Sequence, residues 1–258
     1  MTKFNILAIG LLVVLTTPLA AEELTALELV EKVYNRPDGE DMQSDLKMSL
    51  VNSRGDARVR EIRQLSKDFG TDEKKIMFFQ APADVRNTSF MNWTYGEAGK
   101  SDDQWIFLPA LKKVKRISSD SKGDYFMGSD FTYDDLGDRH PASDTHKVTG
   151  REEIDGEPCT IVESVSIEED YIYSKTLSWI ADEKWIVLKK EFYDEDDELL
   201  KILTVEEHSE IDGYWTVTHS EMQNLQRDHT TIMILENIKL DQGVPDNKFT
   251  ERIMARGL

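Results

Sequence analysis

The chain has 258 residues, room for one large domain or two small ones, and its 31 Lys and Arg against 50 Asp and Glu give a formal charge of −19. That charge disfavours nucleic acid and unassisted binding to anionic membrane. The single cysteine, Cys159, excludes an internal disulfide, so stability has to come from buried apolar surface.

The first 21 residues read as a secretory signal. Lys3 supplies the positive start, Ile6 to Leu15 the apolar stretch, and Thr16-Thr17-Pro18 break it before Ala20-Ala21, with cleavage expected after Ala21 or Ala20. The apolar stretch is about half of the ~20 residues needed to cross a bilayer as a helix. Residues 22–258, with no Pro- or Ser-rich linker, are expected to form a single soluble domain outside the cytoplasm.

In "LTALELVEKVYNRPDG" Leu24, Leu27, Val30 and Val33 or Tyr34 share one helical face. Thr25 and Glu28 make a capping box, and Pro37 to Gly39 stop the helix. From Met42 the period changes to two: Met42, Ser44, Leu46, Met48 and Leu50 lie on one side, and "NSRGD" turns the chain into a second strand through Leu65. Eleven further strand-like runs follow: "KKIMFFQ", "TSFMNWTY", "QWIFLP", "KKVKRIS", "HKVTGREEI", "CTIVESVSI", "SKTLSWIA", "IVLKKEFYD", "LLKILTVEEHSEI", "YWTVTHSEMQNL" and "TTIMILENIKL". Turns such as "IDGEP" and "IDGYW" have hairpin chemistry, and strands follow strands without helical periods between them, so an antiparallel meander or barrel is expected. Several strands are apolar on both sides, which requires two coverings; the weakly patterned region 118–144 is the expected covering loop, with a short helix.

No motif for catalysis or a cofactor emerges. The histidines His140, His146, His208, His219 and His229 show no metal-ligand spacing. There is no nucleophile elbow or glycine-rich phosphate loop, and Ser119 with Lys122 lacks the companions of an SxxK site. The chain is accordingly expected to be no enzyme, with no metal and no cofactor. Cys159 reads as a small buried hydrophobe.

Apolar and aromatic residues concentrate instead in one part of the chain: Phe90, Met91, Trp93, Trp105, Phe107, Phe126, Met127 and Phe131. They are either ordinary core or the lining of an apolar ligand cavity, for which methionines are well suited. Between them stand Lys112, Lys113, Lys115 and Arg116. These cations are either a solvated strand edge or a contact for anionic headgroups or an acidic partner at the cavity mouth.

The stretches "DVRNTSFMNWTY", "WIFLPALKKVKRISSDSKGDYFMGSDFTYDDL", "EEIDGEPC", "LKKEFYDEDDELLK" and "FTERIMARG" together resemble the outer-membrane lipoprotein-sorting protein family, in its longer LolA-like branch. The resemblance implies a mainly β fold with few helices: a curved antiparallel sheet forming an unclosed β-barrel, covered by helices or loops. It also implies a periplasmic carrier that holds acyl chains of lipoproteins or lipids; beside that implication, the Phe126-Met127-Gly128 stretch itself reads as a lid or rim, its glycine permitting a turn that keeps the aromatic residues over the cavity. An RND-type inner-membrane exporter is the partner the resemblance suggests. The competing reading is a non-carrying periplasmic accessory that docks on a membrane transporter.

Overall fold

The structure, a computed structural model, describes residues 23–257. The secretory-signal reading and its cleavage point lie outside the described residues. The chain opens with helix α1, Ala26–Tyr34, whose Thr25 side chain accepts from the Glu28 N–H while the Glu28 carboxylate accepts from the Thr25 N–H at 2.8 Å. This is the capping box expected from the sequence.

Strands β1 Asp41–Val51, β2 Ala57–Phe69, β3 Asp72–Ala81, β4 Ser89–Thr94, β5 Asp103–Leu108 and β6 Lys113–Arg116 follow as a meander. A crossover, residues 117–143, built of short 3-10 turns rather than the expected helix, leads to β7 Asp144–Ile154. A second meander returns through β8 Glu157–Ser166, β9 Lys175–Ala181, β10 Val187–Tyr193, β11 Leu199–Ile211, β12 Tyr214–Asn224 and β13 His229–Leu240. Helix α2, Glu251–Arg256, ends the described chain. The turns carry the backbone that their residues suit: Asp155-Gly156 and Asp212-Gly213 both hold two successive positive φ angles, as a tight hairpin requires.

Among the described residues all strands belong to one antiparallel sheet of 13, ordered β6-β5-β4-β3-β2-β1-β13-β12-β11-β10-β9-β8-β7. The last strand returns beside the first, Leu46 opposite Leu235 and Met48 opposite Met233, so the two meanders join in the middle of the sheet. The edge strands β6 and β7 are not paired with each other, and the sheet is not closed.

The sheet is nonetheless strongly curved. Phe126 lies 5.0 Å from the Phe90 ring on β4, and Phe131 packs with Phe192 on β10. In a flat sheet β4 and β10 would stand about 34 Å apart at ~4.8 Å per strand, whereas Phe126 and Phe131 stand side by side, the Phe126 N–H donating to the Phe131 carbonyl at 2.7 Å. Both contacts coexist only if the strands wrap around the crossover.

Register then assigns the faces. Leu46, Ile62, Phe79 and Leu235 are connected by direct cross-strand pairs, as are Met77, Phe90 and Ile106, and these side chains point inward to the concave side. Helix α1 also sits on this side, with Leu29 against Val162 and Ile180. The convex side of β2 to β6 is covered by the C-terminal segment: Val244, Phe249 and Met254 pack on Leu65, Ile76, Phe78, Met91 and Phe107. The Ser89 hydroxyl donates to the Met254 carbonyl at 3.0 Å and ties α2 down.

Candidate functional site

Strand alternation gives the concave wall an apolar belt. Leu46, Met48 and Leu50 from β1, Ile62 from β2, Met77 and Phe79 from β3 and Phe90 from β4 form one buried cluster, joined by Met233 and Leu235 of β13. A neighbouring cluster of Phe192, Met222, Leu200 and Leu203 continues it onto β10 to β12.

The crossover occupies this belt with a narrow tongue, residues 124–133. The tongue is folded on itself: the Phe126 N–H donates to the Phe131 carbonyl at 2.7 Å and the Tyr133 N–H to the Asp124 carbonyl at 3.1 Å. Met127 and Gly128, both at positive φ, turn the chain between them. Phe126 is fully buried against Phe79, Phe90 and Tyr133, and Phe131 enters the second cluster with Tyr173 and Leu136.

Polar residues hold the tongue in register with the wall. Lys201 of β11, fully buried, donates from Nζ to Asp135 Oδ2 at 2.5 Å and to the Asp130 carbonyl at 3.0 Å. Tyr173 donates to the other Asp135 oxygen at 2.8 Å. Asp130, also fully buried, accepts from the Thr231 hydroxyl at 2.7 Å and faces His229 Nδ1 at 2.6 Å. Asn224 donates to the Tyr125 hydroxyl at 2.9 Å. A buried ion pair contributes little net stability over an apolar pair, but losing one partner strands a charge, so such a network specifies one seating of the tongue. Burial raises the Tyr171 and Tyr173 phenols far above their ordinary range, with Asp134 and Asp135 beside them adding to the effect, so both remain proton donors.

Away from the apolar belt the concave wall turns polar. Ser44, Gln64, Asn92, Thr94 and Gln104 are buried there on four strands, β1, β2, β4 and β5. Glu73 and Lys75 pair at 3.6 Å. Burial pushes the Glu73 carboxyl up to about 8, opposed by Lys75 and reinforced by Asp138; Glu73 in turn holds Lys75 above its ordinary value.

The eight residues expected to line one cavity do not converge. Phe90, Phe126 and Met127 meet on the concave side, and Phe131 adjoins them in the next cluster. Met91, Trp93, Trp105 and Phe107 belong to the convex cluster under α2, which corrects their assignment to the cavity. Alternation separates them: Phe90 and Met91 are successive residues, and Trp93 and Trp105 follow the parity of Met91. The sequence reading also missed most of the concave wall, including Met48, Met77 and Phe79. The period of two around Met48 was legible, but which side of the sheet is concave was not.

Lys112, Lys113, Lys115 and Arg116 are all exposed, on or beside the edge strand β6. Lys115 pairs with Ile106 and stands on the concave side of that edge, whereas Arg116 pairs with Trp105 and is bound to Asp103. A short, charged edge resists strand addition. Cys159 is buried, and its thiol is pushed up to about 11 by that burial.

A family model described as an uncharacterized protein matches residues 71–256, most of the chain. A DUF1329 family protein from Desulfovibrio piger superposes with a TM-score of 0.84 at 30% identity, over 89% of this chain and 97% of that one. A domain described as a candidate outer membrane lipoprotein-sorting protein, from Vibrio parahaemolyticus, gives 0.84 at 31% identity, over 90% and 98%. The chain belongs to the DUF1329 family. A LolA superfamily protein from Nitrosomonas europaea, at 22% identity, shares the fold with a TM-score of 0.69 over 89% of this chain and 99% of that one. A comparison with curated proteins finds no match. The unclosed, mainly β sheet with few helices is thus the fold of the family, here with the tongue seated in its concave side. Among the described residues no helix is long and apolar enough to cross a membrane.

Proposed function

We propose that this protein is a periplasmic carrier in which the concave apolar belt takes up acyl chains of lipoproteins or lipids after the tongue lifts away. The observation that carries this reading is the nature of the covering. The belt is capped by a segment whose backbone bonds at Phe126–Phe131 and Tyr133–Asp124 are its own, so it can leave as a unit without disturbing the ladder of the sheet. Withdrawal of each CH2 from water is worth ~0.8 kcal/mol, so a single chain of ~16 carbons faces more than ~10 kcal/mol on leaving a bilayer unaided. A belt already covered by its own tongue releases cargo more readily than an open one, because reclosure recovers the same apolar contacts.

The cations of the β6 edge, Lys112, Lys113 and Lys115, supply the contact for anionic headgroups or for an acidic partner, and an RND-type inner-membrane exporter is the partner class the family suggests. The test is mass spectrometry of organic extracts of the protein purified from the periplasm, together with titration of an apolar fluorescent probe. Co-purifying lipid and saturable probe binding are expected. Absence of both would overturn the carrier and leave the non-carrying accessory that docks on a transporter.

A further inference from the structure

Phe192 of β10 and Lys201 of β11 are direct cross-strand partners, and Lys190, two residues before Phe192, lies on the same side of the sheet. Both ammonium groups flank the Phe192 ring, Lys190 Nζ at 5.1 Å and Lys201 Nζ at 5.0 Å from its centre. This is the concave side, because Phe192 belongs to the cluster that receives Phe131 of the tongue. Two cations this close on one face repel, and taking them out of water adds to the cost unless anions accompany them. Lys190 makes no ion pair among the described residues, Asp144 being bound by Arg139 and Asp135 by Lys201. Burial lowers the Lys190 ammonium below the ordinary lysine value, against the opposing pull of Asp135, Asp144 and Asp134.

Hydroxyl donors complete the surroundings. Tyr171 and Tyr173, in the segment that leads into β9, donate to Asp134 at 2.7 Å and to Asp135 at 2.8 Å. The same two tyrosines line a narrow pocket together with Lys190, Thr176 and Ser164. The other cations of that pocket are already engaged, Arg139 by Asp144 and Ser166 at 2.8 and 2.9 Å and Lys175 by Asp197. Asp134 and Asp135 follow Tyr133 of the tongue directly, so lifting the tongue withdraws both carboxylates. The wall then keeps two ammonium groups and two phenols, with Asp144, the remaining carboxylate of the pocket, taken by Arg139.

We propose that Asp134 and Asp135 occupy, in the closed protein, the seat of the cargo's headgroup, and that this headgroup is a phosphate of net negative charge. With the tongue lifted, the phosphate oxygens accept from Lys190, Lys201, Tyr171 and Tyr173 and take the place of the two carboxylates. The proposal rests on the carrier reading and deepens it. A cargo without an anion leaves two ammonium groups uncompensated inside the sheet, whereas an anionic lipid satisfies them while its chains lie on Leu200, Leu203 and Met222 of the adjoining cluster. The seat lies within the curve of the sheet, unlike Lys112, Lys113 and Lys115 at its exposed edge.

The test is calorimetric titration of the purified protein with dihexanoyl phosphatidylglycerol and dihexanoyl phosphatidylcholine below their micellar concentrations. The acyl chains are identical, and only the glycerol lipid carries net charge. Phosphatidylglycerol is expected to bind at least tenfold more tightly, although the chain's formal charge of −19 by itself favours the neutral lipid. Lys190→Met is expected to abolish that preference and Lys190→Arg to keep it. Should Lys190→Met fail to fold, Lys190→Gln reads out the same ratio. Equal affinity for the two lipids, or a preference that survives the loss of the Lys190 charge, would overturn the headgroup seat while acyl binding stood. Chain-free glycerophosphoglycerol binding as tightly as the lipid would overturn its assignment to cargo. Failure of both lipids to bind would overturn the carrier reading itself.

Discussion

Phe126→Ala separates a tongue that opens from one that is merely core. Phe126 is fully buried among Phe79, Phe90 and Tyr133. Truncating a buried Phe costs about 3–5 kcal/mol through lost transfer energy and the cavity left behind. With the tongue lifted the side chain makes none of these contacts, so the cost falls on the closed state alone. At a factor of ten per ~1.4 kcal/mol, the open population rises by roughly two to three orders of magnitude. Apparent affinity scales with the binding-competent fraction, so an apolar probe is expected to bind the variant more tightly by up to that factor, until the tongue is mostly open. Hydrogen exchange of amides 124–133 is expected to accelerate in parallel while the strands of the sheet keep their protection. Weaker probe binding, or exchange in the tongue that rises only together with exchange in the sheet, would refute a separately opening tongue.

Three further outcomes are expected. Lys201→Met strands the buried Asp135 carboxylate and is expected to destabilise the seated tongue by about 3–5 kcal/mol, whereas Lys201→Met with Asp135→Asn, which removes the stranded charge and keeps an acceptor for Tyr173, is expected to lose less; equal losses in chemical denaturation would contradict the pairing. The Asp130 amide nitrogen and the Thr231 hydroxyl lie 2.9 Å apart, so Asp130→Cys with Thr231→Cys should oxidise to a disulfide that blocks probe binding until a reductant is added. Cys159, buried with its thiol pushed up to about 11, is expected to stay out of that reaction. The Glu73 carboxyl is pushed up to about 8 from an ordinary value of 4.5, so across that window the folded chain keeps a proton that the unfolded chain has lost. Stability is therefore expected to fall as pH rises through the window, with a flatter profile for Glu73→Gln; wild-type stability that held level from pH 5 to pH 8 would contradict this.

Local structure was legible in the sequence where short-range physics decides it. The Thr25–Glu28 box, the alternation from Met42 to Leu50, the Asp-Gly turns and every later strand run depend on neighbours within a few positions, and each has its counterpart in the fold. The seat of the tongue left no such trace. Lys201 and Asp135 are 66 positions apart in the chain and meet only because the sheet curls around the crossover.

By itself, then, the sequence determined an antiparallel strand repertoire, a leading capped helix and a region 118–144 that had to cover something, because capping, alternation and turn geometry are local. Only the tertiary structure decided that β13 returns to β1, that the sheet curls around the tongue, and that Phe90 faces the cavity while Met91 lies under α2. The physical reason is that a strand apolar on both sides satisfies either orientation equally well. The choice between them comes from curvature and from which distant segment, the tongue or the C-terminal helix, arrives to bury each side.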